Sequence, residues 1–132
     1  RKKWERELAA DNTRREAQAV QDAAETLHEN FVKRAFQTDS ICQLATASPH
    51  PVLVCGDFNS LPSSYTYHRF SESLKDGFKT GGHGYMYTYR YGKRMLRIDY
   101  AFHSPELECT DYYSPNLDLC SDHNPVIFTV KY

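Results

Sequence analysis

The sequence predicts an α/β fold built in layers, with helices first and strands after, and three observations carry that reading. Residues 1–47 contain neither proline nor glycine, three short apolar runs lie between Val52 and Val130, and each run abuts a polar cluster. The chain has 132 residues, 40% hydrophobic and 25% charged, a balance that suits one soluble globular domain.

The helical region comes first. Thr13-Arg14-Arg15-Glu16 has the spacing of a capping box, in which a hydroxyl and a carboxylate satisfy the first free N–H groups of a helix. Ala17, Val20, Ala24, Leu27 and Phe31 then recur three and four residues apart, so they share one helical face. The stripe is short and rich in alanine, which favours a helix packed on its own domain over a coiled coil. A second helix is predicted over roughly residues 31–47, with Phe36, Ile41 and Leu44 among its apolar positions, and Ser48-Pro49-His50-Pro51 ends it.

The strands follow. "VLVC", residues 52–55, is a continuous apolar run, as a strand covered on both faces would be. Within it Cys55 reads as a small buried hydrophobe. "MLRIDYAF" alternates around Ile98, Tyr100 and Phe102, and "PVIFTVKY" around Val126, Phe128 and Val130, beginning at a proline that a strand tolerates in first position. Cys42, Cys55, Cys109 and Cys120 form no metal-binding pair spacing; reduced thiols are favoured, with a Cys109–Cys120 disulfide left open.

Charge narrows the partners. Sixteen basic against seventeen acidic side chains leave a net charge of -1, so no broad field draws the chain to nucleic acid or to an anionic membrane. No apolar run is long enough to span a bilayer, and Arg1-Lys2-Lys3-Trp4 leads into charged residues rather than a signal-peptide core. Localisation is therefore not written in these residues, and a membrane tether upstream stays open.

Chemistry gathers in three clusters: Gly56-Asp57-Phe58-Asn59, Arg97-Ile98-Asp99-Tyr100 and Ser121-Asp122-His123-Asn124-Pro125. Singly, each has a plain structural explanation, as a turn, a strand hydrogen bond or a surface loop. In this order they are far more specific. On "VLVCGDFNS", "RIDYAF" and "SDHNPVIF", with "LKDGF" and "YTYR" between them, the chain resembles the C-terminal part of the endonuclease/exonuclease/phosphatase superfamily, the deoxyribonuclease-I-like fold, from about residue 29 onward.

That resemblance implies the C-terminal half of a four-layered α/β sandwich with two packed, mostly antiparallel sheets, residues 1–28 being a helical lead-in. It implies metal-dependent hydrolysis of a phosphate ester, with Mg²⁺ or Mn²⁺ as cofactor. By motif, Asp57 would orient or deprotonate the attacking water, Asn59 would hydrogen-bond a phosphoryl oxygen, Asp99 would hold the imidazole of His123, and Asp122 would help hold the cation. The residue types suit the task. An anionic phosphodiester repels hydroxide, so a catalyst must neutralise the charge on the phosphoryl oxygens and aim a water in line with the leaving group. Carboxylates suit a hard cation, and an aspartate beside a histidine orients it and favours the imidazolium.

The resemblance also implies a deficit. The family's site draws an acidic metal ligand, an asparagine and a histidine of an "N-x-H" stretch from its N-terminal half, and no such motifs occur among these residues. The expected partners are thus a phosphate-ester substrate (nucleic acid, lipid or inositol phosphate) and the N-terminal half of the same domain, and the isolated piece is expected to dimerise, swap strands or be poorly stable. The alternative is a binding or scaffold module that keeps the fold without the chemistry.

Three further features invite interpretation. Tyr85, Tyr87, Tyr89 and Tyr91 alternate, as an aromatic ladder on a sheet edge or, less favoured, as a face that stacks on a ring-bearing substrate. Gly81-Gly82-His83-Gly84 lacks the ending of a phosphate-cradling loop and is expected to be flexible. Arg90, Lys93, Arg94 and Arg97 read as a solvated basic face, with phosphate steering as the minority reading.

Overall fold

The computed structural model describes residues 2–90, 95–117 and 120–132. Lys93, Arg94 and Tyr91, named above, lie outside them. The chain divides into two compact units, Arg1–Phe36 and Gln37–Tyr132.

The first unit is helix alone. Helix α1 runs unbroken over Lys3–Ala47, where the sequence suggested a start at Thr13 and a second helix after it. With no breaker in this stretch, propensity carries the helix through, and the Thr13 hydroxyl donates back to the Ala9 carbonyl at 2.9 Å instead of capping an end. Pairs one turn apart support it, including Arg15 with Asp11 at 2.8 Å and Gln18 with Asp22 at 2.8 Å. Val20, Leu27 and Phe31 are exposed, which corrects the expectation of a packed apolar face: an alanine-heavy stripe offers little area to bury.

The second unit begins with the last turns of α1. Thr38 and Cys42 are buried there and Ala45 is half-buried, while Ile41 and Leu44, expected to face inward, are exposed, as is Phe36. Small residues line the inward stripe because the opposing core is made of rings. Cys42 joins Tyr67, Phe70, Leu74, Tyr100 and Phe102, and Val54 and Phe58 pack against that cluster. As the two prolines near its end require, α1 stops at Ala47.

Strands β1 (Leu53–Asp57), β2 (Lys75–Asp76) and β3 (Asp99–His103) form an antiparallel sheet in the order β1-β3-β2. Strands β4 (Glu108–Tyr113) and β5 (Ile127–Lys131) form a second, antiparallel pair. Helices α2 (Tyr65–Ser71) and α3 (Gly77–Gly81) precede β3 in the chain, and side chains cap them: Ser64 accepts from the Tyr67 N–H at 3.2 Å and Asp76 from the Phe78 N–H at 3.0 Å. A second core joins Ala101, Cys109 and Tyr112 to Phe78, Val126, Phe128 and Val130. The fold is thus mixed α/β with two small antiparallel sheets.

Strand β1 differs from the expectation of a strand covered on both faces. Val54 packs inward, but Leu53 and Cys55 are exposed, so Cys55 is not the buried hydrophobe that its apolar neighbours implied. The run of four apolar residues still reports two coverable faces; among the described residues only one is covered. All four cysteines are free thiols.

Gly77 and Gly81 of α3 are packed closely against backbone, whereas Gly84 has open space around it. A Cβ on Gly81 would sit 2.7 Å from the Cys109 carbonyl oxygen, and one on Gly77 would sit 2.9 Å from both the Ala101 carbonyl oxygen and the Tyr112 ring. Arg97 also departs from the sequence reading. Its guanidinium donates to Asp76 at 2.8 Å, buried between the rings of Phe78 and Tyr100 at 4.8 and 4.9 Å, with the Tyr67 hydroxyl donating to the same carboxylate oxygen at 2.8 Å. It is neither solvated nor available to a phosphate. No described helix is long and apolar enough to cross a membrane.

Candidate active site

Antiparallel pairing sets the first geometry of the site. The register of β1 against β3 places Asp57 directly across from Asp99, and the Phe58 N–H extends the pairing to the Ile98 carbonyl at 2.9 Å. Phe58 then anchors the outgoing loop by inserting its ring among Phe70, Tyr100 and Phe102 at 5.0 to 5.7 Å. Asn59 follows in the left-handed region at φ 46, which asparagine tolerates, and its N–H donates to Asp57 Oδ1 at 2.8 Å. The Tyr100 hydroxyl lies 2.7 Å from the Ser60 carbonyl and 2.8 Å from that of Arg97, so one side chain ties the Asp57 loop to the approach to Asp99.

The third cluster comes from the segment before β5. Arg90 holds it: its N–H donates to the Asp122 carbonyl at 2.9 Å and its guanidinium to the Ser121 carbonyl at 2.6 Å and to Asn116 Oδ1 at 3.2 Å. Arg90 is therefore a structural clamp here, where the sequence offered a solvated face. The His123 N–H donates to Ser121 Oγ at 3.1 Å, and the Tyr89 ring packs against the imidazole at 5.1 Å.

His123 Nδ1 lies 2.8 Å from Asp99 Oδ2; a carboxylate only accepts, so Nδ1 carries the proton. Nε2 faces the other two acids, 3.8 Å from Asp57 Oδ2 and 4.0 Å from Asp122 Oδ1. The hydrogen bond to Asp99 raises the imidazole pKa against the opposing effect of burial, and the charges of Asp99, Asp57 and Asp122 add to the rise. Asp99 is largely buried, whereas Asp57 and Asp122 are about half exposed. A cleft of about 480 Å³ opens over this centre, lined by Asp57, Asn59, Asp122, His123, Tyr89 and their neighbours. All five residues singled out by motif thus lie at one place, Asp99 beneath the imidazole and the other four on the cleft.

The side chains offer a possible metal site. Asp57, Asp99 and His123 bring one ligand atom each within 4.8 Å of one another and can hold an ion together. Asp99 and the His123 Nδ1 proton already satisfy each other, so Asp57 is the exposed carboxylate of the three.

Residues 14–123 match the family model described as the endonuclease/exonuclease/phosphatase family. The chain belongs to the endonuclease/exonuclease/phosphatase family. No curated protein matches it. Among solved structures, an endonuclease/exonuclease/phosphatase from Bacteroides vulgatus is 26% identical over 74% of this chain and 43% of its own, with a TM-score of 0.66. A conserved protein of unknown function from Enterococcus faecalis is 20% identical over 74% and 44%, with a TM-score of 0.62. A mannosyl-6-phosphatase from Bacteroides thetaiotaomicron is 24% identical over the same shares, with a TM-score of 0.55. The last two likenesses show the fold. The chain spans less than half the length of each of these structures.

The supporting roles of other residues, some of them inside the clusters named above, escaped the sequence reading. Thr88, Arg90, Tyr100 and Asn124 position it through hydrogen bonds to backbone, which composition does not announce. For Thr88 the signal lay in the tyrosine alternation: it is fully buried between Tyr87 and Tyr89, whereas Tyr85 is exposed, its ring 6.3 Å from that of Tyr87. Tyr85 and Tyr87 line a separate hollow of about 360 Å³, and Tyr89 lines the cleft over His123.

Proposed function

We propose that this chain is the C-terminal part, from about residue 29, of a divalent-metal-dependent phosphoesterase domain that hydrolyses a phosphate ester by in-line attack of an activated water. One observation carries the reading: His123, fixed by Asp99 at 2.8 Å, turns Nε2 toward the exposed acids Asp57 and Asp122 in an open cleft. A buried structural histidine would not be arranged with its free nitrogen facing two carboxylates and solvent.

Each side chain has a task. Asp57 is half exposed and pinned by the Asn59 N–H; its free oxygen orients the attacking water and takes its proton. Asn59 donates from its amide to a phosphoryl oxygen. Asp99 holds the imidazole in one orientation and favours its protonated form, so that Nε2 presents positive charge and a donor to the phosphoryl group. Asp122 would help hold the cation, which, when bound, supplies a Lewis acid that neutralises charge on the phosphoryl oxygens.

The N-terminal half of the domain is the proposed partner, because the chain spans 43% of its Bacteroides vulgatus relative. The cheapest test is hydrolysis of bis-p-nitrophenyl phosphate, p-nitrophenyl phosphate, an inositol phosphate, a phospholipid, single-stranded DNA and a hexose 6-phosphate, with Mg²⁺, Mn²⁺ or EDTA. The assay is run on the 132-residue chain and on the chain supplied with an N-terminal half. Metal-dependent turnover that His123→Ala removes supports the proposal. Turnover nowhere on that panel, in either form, would favour the alternative of a non-catalytic binding module.

A further inference from the structure

We infer that Thr88 is a positioning residue for the Asp99–His123 pair, holding the two loops that carry them in one frame. The inference rests on the functional reading above only in treating that pair as the working one. Thr88 is fully buried, and its N–H, carbonyl and hydroxyl oxygen all have partners. Its hydroxyl oxygen accepts from the N–H of Ile98 and from the N–H of Asp99, both at 3.1 Å, which uses both lone pairs. Its own N–H donates to the Leu96 carbonyl at 2.9 Å, and its carbonyl accepts from the Asn124 N–H at 2.7 Å.

These bonds reach the two sides of the pair at their backbones. Asp99 begins β3, and the direction of its carboxylate follows from the peptide that Thr88 grips. Asn124 follows His123, so the same residue fixes the exit of the imidazole loop. The neighbouring Tyr89 bridges both Leu96 and His123, which places the Thr88 segment between the two loops as a spacer. Valine in this position keeps the shape and loses the acceptor. Two buried N–H groups would then lack a partner, and the backbone before Asp99 would turn to find one, carrying the carboxylate off Nδ1.

The experiment reads the hydrogen bond, so an inactive chain would not decide it. In the metal-free 132-residue chain, the proton shared between His123 Nδ1 and Asp99 gives a far-downfield NMR signal, identified by its loss in His123→Ala. Thr88→Val is expected to lose that signal while Thr88→Ser retains it, and Val130→Ala, a destabilising change in the other sheet, retains it too. A Thr88→Val chain that melts cooperatively and keeps the signal in place overturns the inference, as does loss of the signal in Thr88→Ser. If Thr88→Val does not fold, amide exchange in the unsubstituted chain decides. Slow exchange at both Ile98 and Asp99, quickened in neither by Thr88→Ser, supports the role, and fast exchange at either overturns it. Absence of the signal in the unsubstituted chain also overturns it, leaving the phosphoesterase reading to the hydrolysis panel.

Discussion

Strands β1 and β3 lie side by side in one sheet, yet they live in different surroundings. From Tyr100 to His103 every residue of β3 is buried, whereas β1 is exposed at every position but Val54. Each carries an aspartate of the candidate site, at facing positions. The difference shows how the site is held. Asp99 is fixed by strand, threonine and ring, and so fixes His123; Asp57 projects from the more open strand and depends on one turn hydrogen bond and the Phe58 anchor. The imidazole side is preorganised by this chain, and the Asp57 side rests on fewer contacts.

Experiments can break that contrast. The largest effect is expected from His123→Ala, which removes the group both aspartates address: metal-dependent hydrolysis should fall by about a hundredfold to ten-thousandfold, measured as kcat/KM in the active form. Phe102→Ala removes the centre of the β3 side and is expected to cost about 3 to 5 kcal/mol in a urea melt, since Phe102 is fully buried among four rings. Leu53→Ala on the open strand should change the same melt by only about 0.5 kcal/mol. Equal costs for the two would erase the distinction between the strands.

Proton titration sharpens it. In metal-free chain, NMR titration of His123 should give a pKa above its ordinary value, lowered more by Asp99→Asn than by Asp57→Asn, because the hydrogen bond outweighs the charge at 3.8 Å. The sign for stability follows. A pKa raised by folding means that the protonated imidazole stabilises the fold; that contribution is complete below a pH of about 6.5 and disappears as pH rises through the folded value. The loss of melting midpoint over that window should be smaller in Asp99→Asn than in the unsubstituted chain.

The site was more legible in the letters than its support. Asp57, Asn59, Asp99, Asp122 and His123 announce themselves because polar groups sit at the ends of apolar runs, where a strand must surface. Thr88 and Tyr100 act through backbone groups of distant segments, and only tertiary pairing reveals those. Arg97 shows the limit of reading charge: among basic neighbours it looked solvated, yet Asp76, 21 positions away, takes it into the core. The α1 stripe shows the limit of reading periodicity, since spacing defines a face without saying whether anything meets it.

The packing of α3 bears on tolerance to change. Where Gly77 and Gly81 approach the backbone of β3 and β4 to within a single atom's width, alanine is already too large. In a saturation library scored by abundance in cells, these two small positions should be depleted as strongly as the largest rings, although neither contributes a side chain. A conservative alphabet chosen by hydrophobicity would therefore place its errors at the residues it judged most forgiving.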